Sequence, residues 1–408
     1  MFRHAMANRK PPSRSATDQR LPTLTLMFIC HGLHLLGFGA VSLFLPMIRR
    51  DLDITYTLAG ILSACSTLVY AFMQIPAGAL VDRFGPRRVF MVGSYGHALT
   101  ILAVGVAPNY LILAAVMVLN GFFRSLVFTP GLLLLTSWFP PQRRATALSG
   151  FIAGTFAFNA ILMLAGPILV YWWGWRLVFV ACSLAGFAAG LAFGHLATDS
   201  PLAESPVRVV WTRVLELFRH RFMWMVAGMQ FIRMAIVFAF VFWLPTFLVD
   251  DMRFTLTEAG LTIAMLTLLG APSGILGGYL SDRTGRPVLI ICGSFVVLAA
   301  GLATLALAES LTIVIAAMAC VFVFMQSYFG ALFALPIDLL GPRVAGVASG
   351  FGNFFANLGG FTCGLLLGIL RDRTESFAWG FGLLAALALA GFVLGLFLAH
   401  ERATSLQP

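Results

Sequence analysis

Arg124 and Arg233 each stand near the middle of a long apolar run, and no acidic residue shares the centre of either run. A guanidinium at that depth in lipid is costly, so such residues face a protein interior or an aqueous cavity. Neither side chain reaches a membrane surface easily from mid-span. The planar fork of donors matches carboxylate or phosphate, which makes two arginines at similar depth a candidate anion receptor. The competing role is packing, with each guanidinium bonded to backbone carbonyls or to Gln and Asn. Uncharged polar residues lie in neighbouring runs. His31 and His34 are three apart, hence on one helix face, and Tyr70 and Gln74 are four apart. Asn159 is central in its run, Gln230 lies one turn from Arg233, Gln326 and Tyr328 are close together, and Asn353 and Asn357 share a face. Each is a candidate substrate contact, and each is equally able to hold two membrane helices together. His31 or His34 can carry a proton near neutral pH, or simply bond a neighbour. Gly150, Gly154, Gly274, Gly277 and Gly352 permit close helix crossing and are expected at moving interfaces.

The elements that must position these residues follow from composition. Hydrophobic residues make up 60% of 408 positions and charged residues 10%, so lipid is the solvent for much of the chain. Twelve apolar spans are expected at about 24–46, 58–81, 89–107, 109–137, 145–170 and 176–196, then 222–249, 257–280, 287–307, 310–338, 345–370 and 376–399. The polar stretch 197–221 reads as a linker, with an amphipathic pattern through Trp211, Leu215 and Phe218. Residues 1–23 and 400–408 read as tails, the first polar, basic and disordered. The first apolar run is expected to be retained rather than cleaved. Six cysteines fall inside apolar runs without a CxxC pair, which argues against a disulfide framework or a zinc site. The net charge of +10 is scattered through short loops rather than gathered on a basic face, so nucleic acid is not an expected partner.

Twelve spans are expected because the chain repeats. GALVDRFGPRRV at Gly78–Val89 returns as GGYLSDRTGRPV at Gly277–Val288, and Gly78, Asp82, Arg83 and Gly85 match Gly278, Asp282, Arg283 and Gly285 at one offset. The same offset carries Ala59-Gly60 onto Ala259-Gly260 and Ser149-Gly150-Phe151 onto Ser349-Gly350-Phe351. Two homologous halves of six spans, 24–196 and 222–399, must therefore run parallel. With a cytoplasmic amino terminus, six of the 26 Lys and Arg residues lie outside (Arg49, Arg50, Arg176, Arg253, Arg371, Arg373). Arg124 and Arg233 lie within spans and the rest lie inside, as the positive-inside rule requires. Tyr171-Trp172-Trp173-Gly174-Trp175 then falls at the outer interface.

Gly78–Arg88 resembles the loop signature G-x-L-a-D-r-x-G-r-r of the major facilitator superfamily, and Gly278–Arg286 resembles its partial second copy. The likeness covers roughly residues 24–399 and implies an all-α membrane protein of two six-helix bundles around one central site. Trp138-Phe139-Pro140-Pro141-Gln142-Arg143-Arg144, and Ala348 to Asn353 with Asn357-Leu358-Gly359-Gly360, resemble the organic-anion carriers called the anion:cation symporter group. Those carriers usually have an acidic residue before the proline matched by Pro130, where this chain reads Arg124-Ser125-Leu126-Val127-Phe128-Thr129. The resemblance implies that the loop signature acts as a gate, through Gly78, Asp82, Arg83, Gly85, Arg87 and Arg88 and through Gly278, Asp282, Arg283, Gly285 and Arg286. The plainer role for Arg87 and Arg88 is to anchor the next span at the inner interface.

These readings point to a secondary transporter of the inner membrane, with both termini cytoplasmic, working as a monomer by alternating access on a small organic anion. Proton-driven efflux of amphipathic compounds and uptake of an anionic metal chelate are the alternatives. The coupling ion, a proton or a cation, is left open. No Walker loop occurs and no nucleophile with its base is recognisable, so neither an ATP-driven pump, a cofactor nor an enzyme is expected.

Overall fold

The computed structural model describes residues 14–138, 141–197, 221–332, 335 and 345–405. The amino-terminal half contains α1 (Arg14–Leu43), α2 (Leu45–Leu52), α3 (Tyr56–Phe84), α4 (Pro86–Val106), α5 (Tyr110–Trp138) and α6 (Pro141–Leu196). The carboxyl-terminal half contains α7 (Arg221–Asp250), α8 (Leu256–Thr284), α9 (Pro287–Leu307), α10 (Leu311–Ser327), α11 (Ala345–Thr374) and α12 (Ala378–Ser405). No strand occurs among the described residues. In lipid, helices satisfy their own backbone groups, which is why apolar sequence of this length becomes helix regardless of modest propensities.

Eleven of these elements carry stretches long and apolar enough to cross a membrane, and one of the eleven, Phe158–Leu196, is far too long for a single crossing. Its helix α6 breaks at Gly174, whose φ of 72° and ψ of 159° leave helical geometry. The two arms of α6 therefore make separate crossings, and the described residues contain the twelve expected. Helix α1 begins at Arg14 with Pro22 inside it, and its stretch apolar enough to cross a membrane begins at Pro22. The linker proper, residues 198–220 with its amphipathic pattern, lies outside the described residues.

The internal repeat is visible in how the helices start and stop. Thr55 and Thr255 cap α3 and α8, each side chain accepting a backbone N–H three residues on at 3.2 Å. Glu258 completes a capping box at the second site. Gly85 and Gly285 end those helices with φ of 82° and 63°, a conformation that suits glycine, and Pro86 and Pro287 open the next ones. Large apolar side chains such as Leu111, Ile275 and Leu307 face outward, as expected for lipid contact. Tyr171, Trp172 and Trp173 are exposed beside the Gly174 break, where amphipathic rings suit an interface.

Among the described residues the halves meet through four helix pairs: α1 with α7, α2 with α7, α3 with α11, and α6 with α8. A Cβ on Gly60 would lie 3.2 Å from the Gly364 carbonyl oxygen, and one on Gly260 would collide with the Met163 carbonyl. Close approach between the halves therefore depends on Gly60, Gly260 and Gly368. The expected Gly277 and Gly352 instead face Ser327 and Gln230 inside the carboxyl half, and Gly274 approaches the Gln326 carbonyl there. This is a correction to the sequence reading, because a glycine on an apolar helix does not reveal which neighbour exploits it.

Candidate substrate-binding site

Arg124 and Arg233 are both near mid-helix. Arg124 is about 21 Å along α5 from either end at about 1.5 Å per residue, and Arg233 about 18 Å from the start of α7. In the amino half, the Arg124 guanidinium carbon stands 4.6 Å above the centre of the Tyr70 ring. The His31 ring lies 6.0 Å from that of His34 and 5.9 Å from that of Phe128. Gln74 accepts a 2.7 Å bond from the Thr129 hydroxyl, tying α3 to α5 next to this group. Asn159 is half-buried, with Oδ1 facing Gly39 of α1. Helices α1, α3, α5 and α6 thus bring His31, His34, Tyr70, Gln74, Arg124 and Asn159 into the interior of one half.

The carboxyl half repeats the theme with different residues. Arg233 is buried, its Nε donates 2.9 Å to Gln230 Oε1, and its guanidinium carbon lies 5.1 Å from the Phe329 ring centre. Gln230 is itself buried and faces Gly352 of α11. Asn353 and Gln326 are half-buried. Asn357 is buried, and its amide donates 2.8 Å to the Asn353 carbonyl of its own helix. Tyr328 is fully buried against Phe295 of α9, ring centres 4.9 Å apart, and lies close enough to Arg233 to interact with it electrostatically. Each arginine therefore rests on an aromatic face. A ring quadrupole stabilises a cation without neutralising it, so capacity for an anion remains.

A further buried network was not foreseen. Asn120 Nδ2 donates 3.1 Å to His97 Nδ1 and 3.0 Å to Thr100 Oγ1, and Ser66 donates to Asn120 Oδ1 at 3.3 Å. With Nδ1 accepting, His97 carries its proton on Nε2 and donates it 3.1 Å to the His34 carbonyl. The His97 and His34 rings are 4.1 Å apart. His97 therefore pins α4 to α1 and α5.

At one end of the molecule the halves are joined by charge. Asp250 at the end of α7 receives Arg49 at 2.9 Å, Arg50 at 3.0 Å and the Tyr56 hydroxyl at 3.0 Å, all from the amino half. Arg49 also stacks 3.2 Å over the Tyr56 ring. Asp372 at the end of α11 accepts the first backbone N–H groups of α3, from Tyr56 at 3.0 Å and Thr57 at 2.6 Å, where the helix dipole favours an anion. Ser42 adds a 2.8 Å bond to the Phe242 carbonyl. Within the halves, Arg176 pairs with Asp51 and Arg371 with Asp251. Burial pushes the Asp251 carboxyl above the ordinary carboxylate value, and the Arg371 guanidinium 2.7 Å away opposes that shift. One signal was available for the within-half pairs: Asp51 and Asp251 stand at the repeat offset.

The loop-signature residues lie at the opposite end. Asp82, Arg83, Arg88, Asp282, Arg283, Gly285 and Arg286 are exposed, and among the described residues neither Asp82 nor Asp282 forms an ion pair. Arg87 donates 3.1 Å to the Gly194 carbonyl at the end of α6, an anchoring contact inside one half. Gly78 and Gly278 have open space where a Cβ would stand. Arg143 and Arg343 have no described side chain.

Comparisons with known proteins agree with this architecture. The chain is 28% identical to a probable sulfoacetate transporter of Cupriavidus necator over 388 residues, covering 88% of this chain and 89% of that one. It is 24% identical to a hexuronate transporter of Bacillus subtilis (91% and 93% covered) and 27% identical to a nitrite extrusion protein of the same organism (87% and 88%). Among solved structures, a bacterial homolog of the human lysosomal transporter Spinster, inward-facing and unoccupied, superposes with a TM-score of 0.72 at 17% identity over 95% of this chain and 96% of that one. The family model described as Major Facilitator Superfamily matches residues 27–364. With its two six-crossing halves and multi-pass plan, the chain is a secondary transporter and belongs to the Major Facilitator Superfamily.

Proposed function

We propose that the chain carries a small organic anion, bound between the halves by Arg124 and Arg233. The observation behind this is their placement: each guanidinium is mid-span on an aromatic platform, while every carboxylate among the described residues lies at a helix end or in a loop. A site with two cations and no acid at its depth repels cationic cargo and favours carboxylate, sulfonate or phosphate. Tyr70, Gln74, Asn159, Gln230, Gln326 and Asn353 supply uncharged donors and acceptors around it, with His31 and His34 beside Arg124. Tyr328, close enough to Arg233 to interact with it electrostatically, and Asn357 complete the set of candidates. The relatives named for sulfoacetate and hexuronate support the reading, since both names denote anions bearing a carboxylate. The relative named for nitrite extrusion favours export of a small inorganic anion as the second reading.

The two halves, 24–196 and 222–399, move as bodies about this site, with both termini cytoplasmic in the inner membrane. The Arg49–Asp250 end is then outer and closed here, and the Asp82 and Asp282 loops form the inner gate. Uptake into liposomes by counterflow, across carboxylates, sulfonates, nitrite and amphipathic cations, tests the cargo class. Arg124→Gln and Arg233→Gln should fold and lose anion uptake. Undiminished uptake by both variants ends the assignment.

A further inference from the structure

Asp250 is bound as a ligand would be bound. One of its oxygens takes Arg50, the other takes Arg49 and the Tyr56 hydroxyl, at 2.9–3.0 Å, and every donor belongs to the opposite half. Two guanidiniums and a phenol on one carboxylate is a receptor for that group. Its parts are held independently of Asp250. Arg49 and Arg50 sit in the last turn of α2, whose carboxyl end favours cations, and Arg49 is stacked on Tyr56. Arg49 Nε is buried without a hydrogen-bond partner, so the receptor holds one donor more than Asp250 uses. Only the ligand comes from the other half, and when the halves part at this end the receptor loses it.

We propose that Arg49, Arg50 and Tyr56 form a second anion site, a carboxylate seat at the mouth, filled by Asp250 when this end is closed and open to external carboxylates when it is parted. External anion and Asp250 are then competitors for the same donors, and occupancy from solution holds the mouth open. This rests on the alternating-access reading and extends it to where cargo first docks. The seat recognises the carboxylate alone and is indifferent to the rest of the molecule, because its donors all converge on the two Asp250 oxygens.

The test is chemical rescue in the full-length purified protein, read by hydrogen–deuterium exchange over residues 45–57. Asp250→Ala empties the seat, and exchange there should rise by about tenfold or more, the least expected on removing one partner of a part-buried ion pair. Acetate should restore protection, and chloride at equal ionic strength should not. Adding Arg50→Gln to Asp250→Ala should abolish the acetate effect. Should Asp250→Ala fail to fold, Asp250→Ser, too short to reach the three donors, also empties the seat and serves the same comparison. The proposal is overturned if acetate protects no better than chloride, or if its effect survives Arg50→Gln. The readout does not involve uptake, so that failure leaves the Arg124 and Arg233 test standing, and loss of the latter leaves the seat standing.

Discussion

Gly368 offers the most direct way to shift the balance between closed and parted mouth. A Cβ built there would lie 2.5 Å from the Tyr56 carbonyl oxygen and 3.0 Å from Trp243 Cζ2, where ordinary contact begins at 3.4 Å. The shortfall against Tyr56 is thus 3.4 − 2.5 = 0.9 Å, and the obstacle is backbone, which has no rotamer to swing aside. Helix α3 must withdraw from α11, and the Asp372 bonds to Tyr56 and Thr57, at 3.0 and 2.6 Å, stretch with it. Overpacking of this kind costs about 1–3 kcal/mol. The cost falls on the closed mouth alone, because parting the halves relieves it.

Gly368→Ala should therefore move the closed-to-parted ratio by about 5- to 150-fold toward parted. Distance measurements between spin labels at Pro108→Cys and Glu309→Cys, exposed on opposite halves at this end, would show the longer-distance population growing. Gly382→Ala is the control: a Cβ there meets nothing within 4 Å, so the change should be neutral or slightly stabilising by helix propensity. A folded Gly368→Ala protein whose distance distribution matches wild type would refute the steric argument and the identification of this end as a closed mouth.

Tyr70→Leu, which removes the ring beneath Arg124, should weaken anion affinity by the ~0.5–2 kcal/mol of a cation–π contact, whereas Tyr70→Phe should not. Equal affinities for the two variants in a binding titration would dismiss the platform. Asn120→Ala strands His97 Nδ1 in the interior, while the Thr100 hydroxyl keeps its bond to the His97 carbonyl. The expected loss is about 1–3 kcal/mol, seen as a lower Tm of purified protein, and an unchanged Tm would count against the network. Asp82→Asn should slow turnover with little change in Tm, while Arg87→Gln, losing its bond to the Gly194 carbonyl, should lower Tm first. The reverse pattern would exchange the gating and anchoring roles.

The architecture was legible because duplication writes the same punctuation twice. Thr55 and Thr255, Gly85 and Gly285, and Asp51 and Asp251 stand at one offset, and caps and positive-φ glycine turns follow from residue type alone. Arg124 and Arg233 were legible for a different reason: charge at mid-span is too costly to be incidental. The cross-half contacts were hidden. Arg50 and Asp250 also stand at the repeat offset, yet they are partners rather than counterparts, and no periodicity distinguishes the two relations. Gly277 and Gly368 look alike in sequence, but one faces its own half and the other the opposite half. A polar atom on a membrane helix does not reveal which side of the helix it occupies, so the contacts of Tyr328 with Phe295 and of Asn357 with the Asn353 carbonyl were not legible either.

The distribution of charge explains how one chain keeps a positive centre without collapsing it. Carboxylates are confined to the ends, where Asp51, Asp250, Asp251 and Asp372 are each matched by an arginine or a helix start. An acid at the depth of Arg124 would satisfy that guanidinium permanently, and the cargo would then have to displace it. Aromatic faces, and for Arg233 also the Gln230 side chain, help to hold the two guanidiniums, and on the proposed function their charge then serves the cargo. At the mouth the logic is reversed. Arg50 is 68% exposed, but the Arg49–Asp250 pair is largely buried, with 15% and 10% of the side chains exposed, so parting the halves leaves a charge that an incoming anion or water must satisfy. On the proposed function, permanent pairing at the rim would lock the carrier and an acid at the depth of Arg124 would compete with the cargo. Rim contacts that break on parting and aromatic-seated cations at the centre therefore suit an anion.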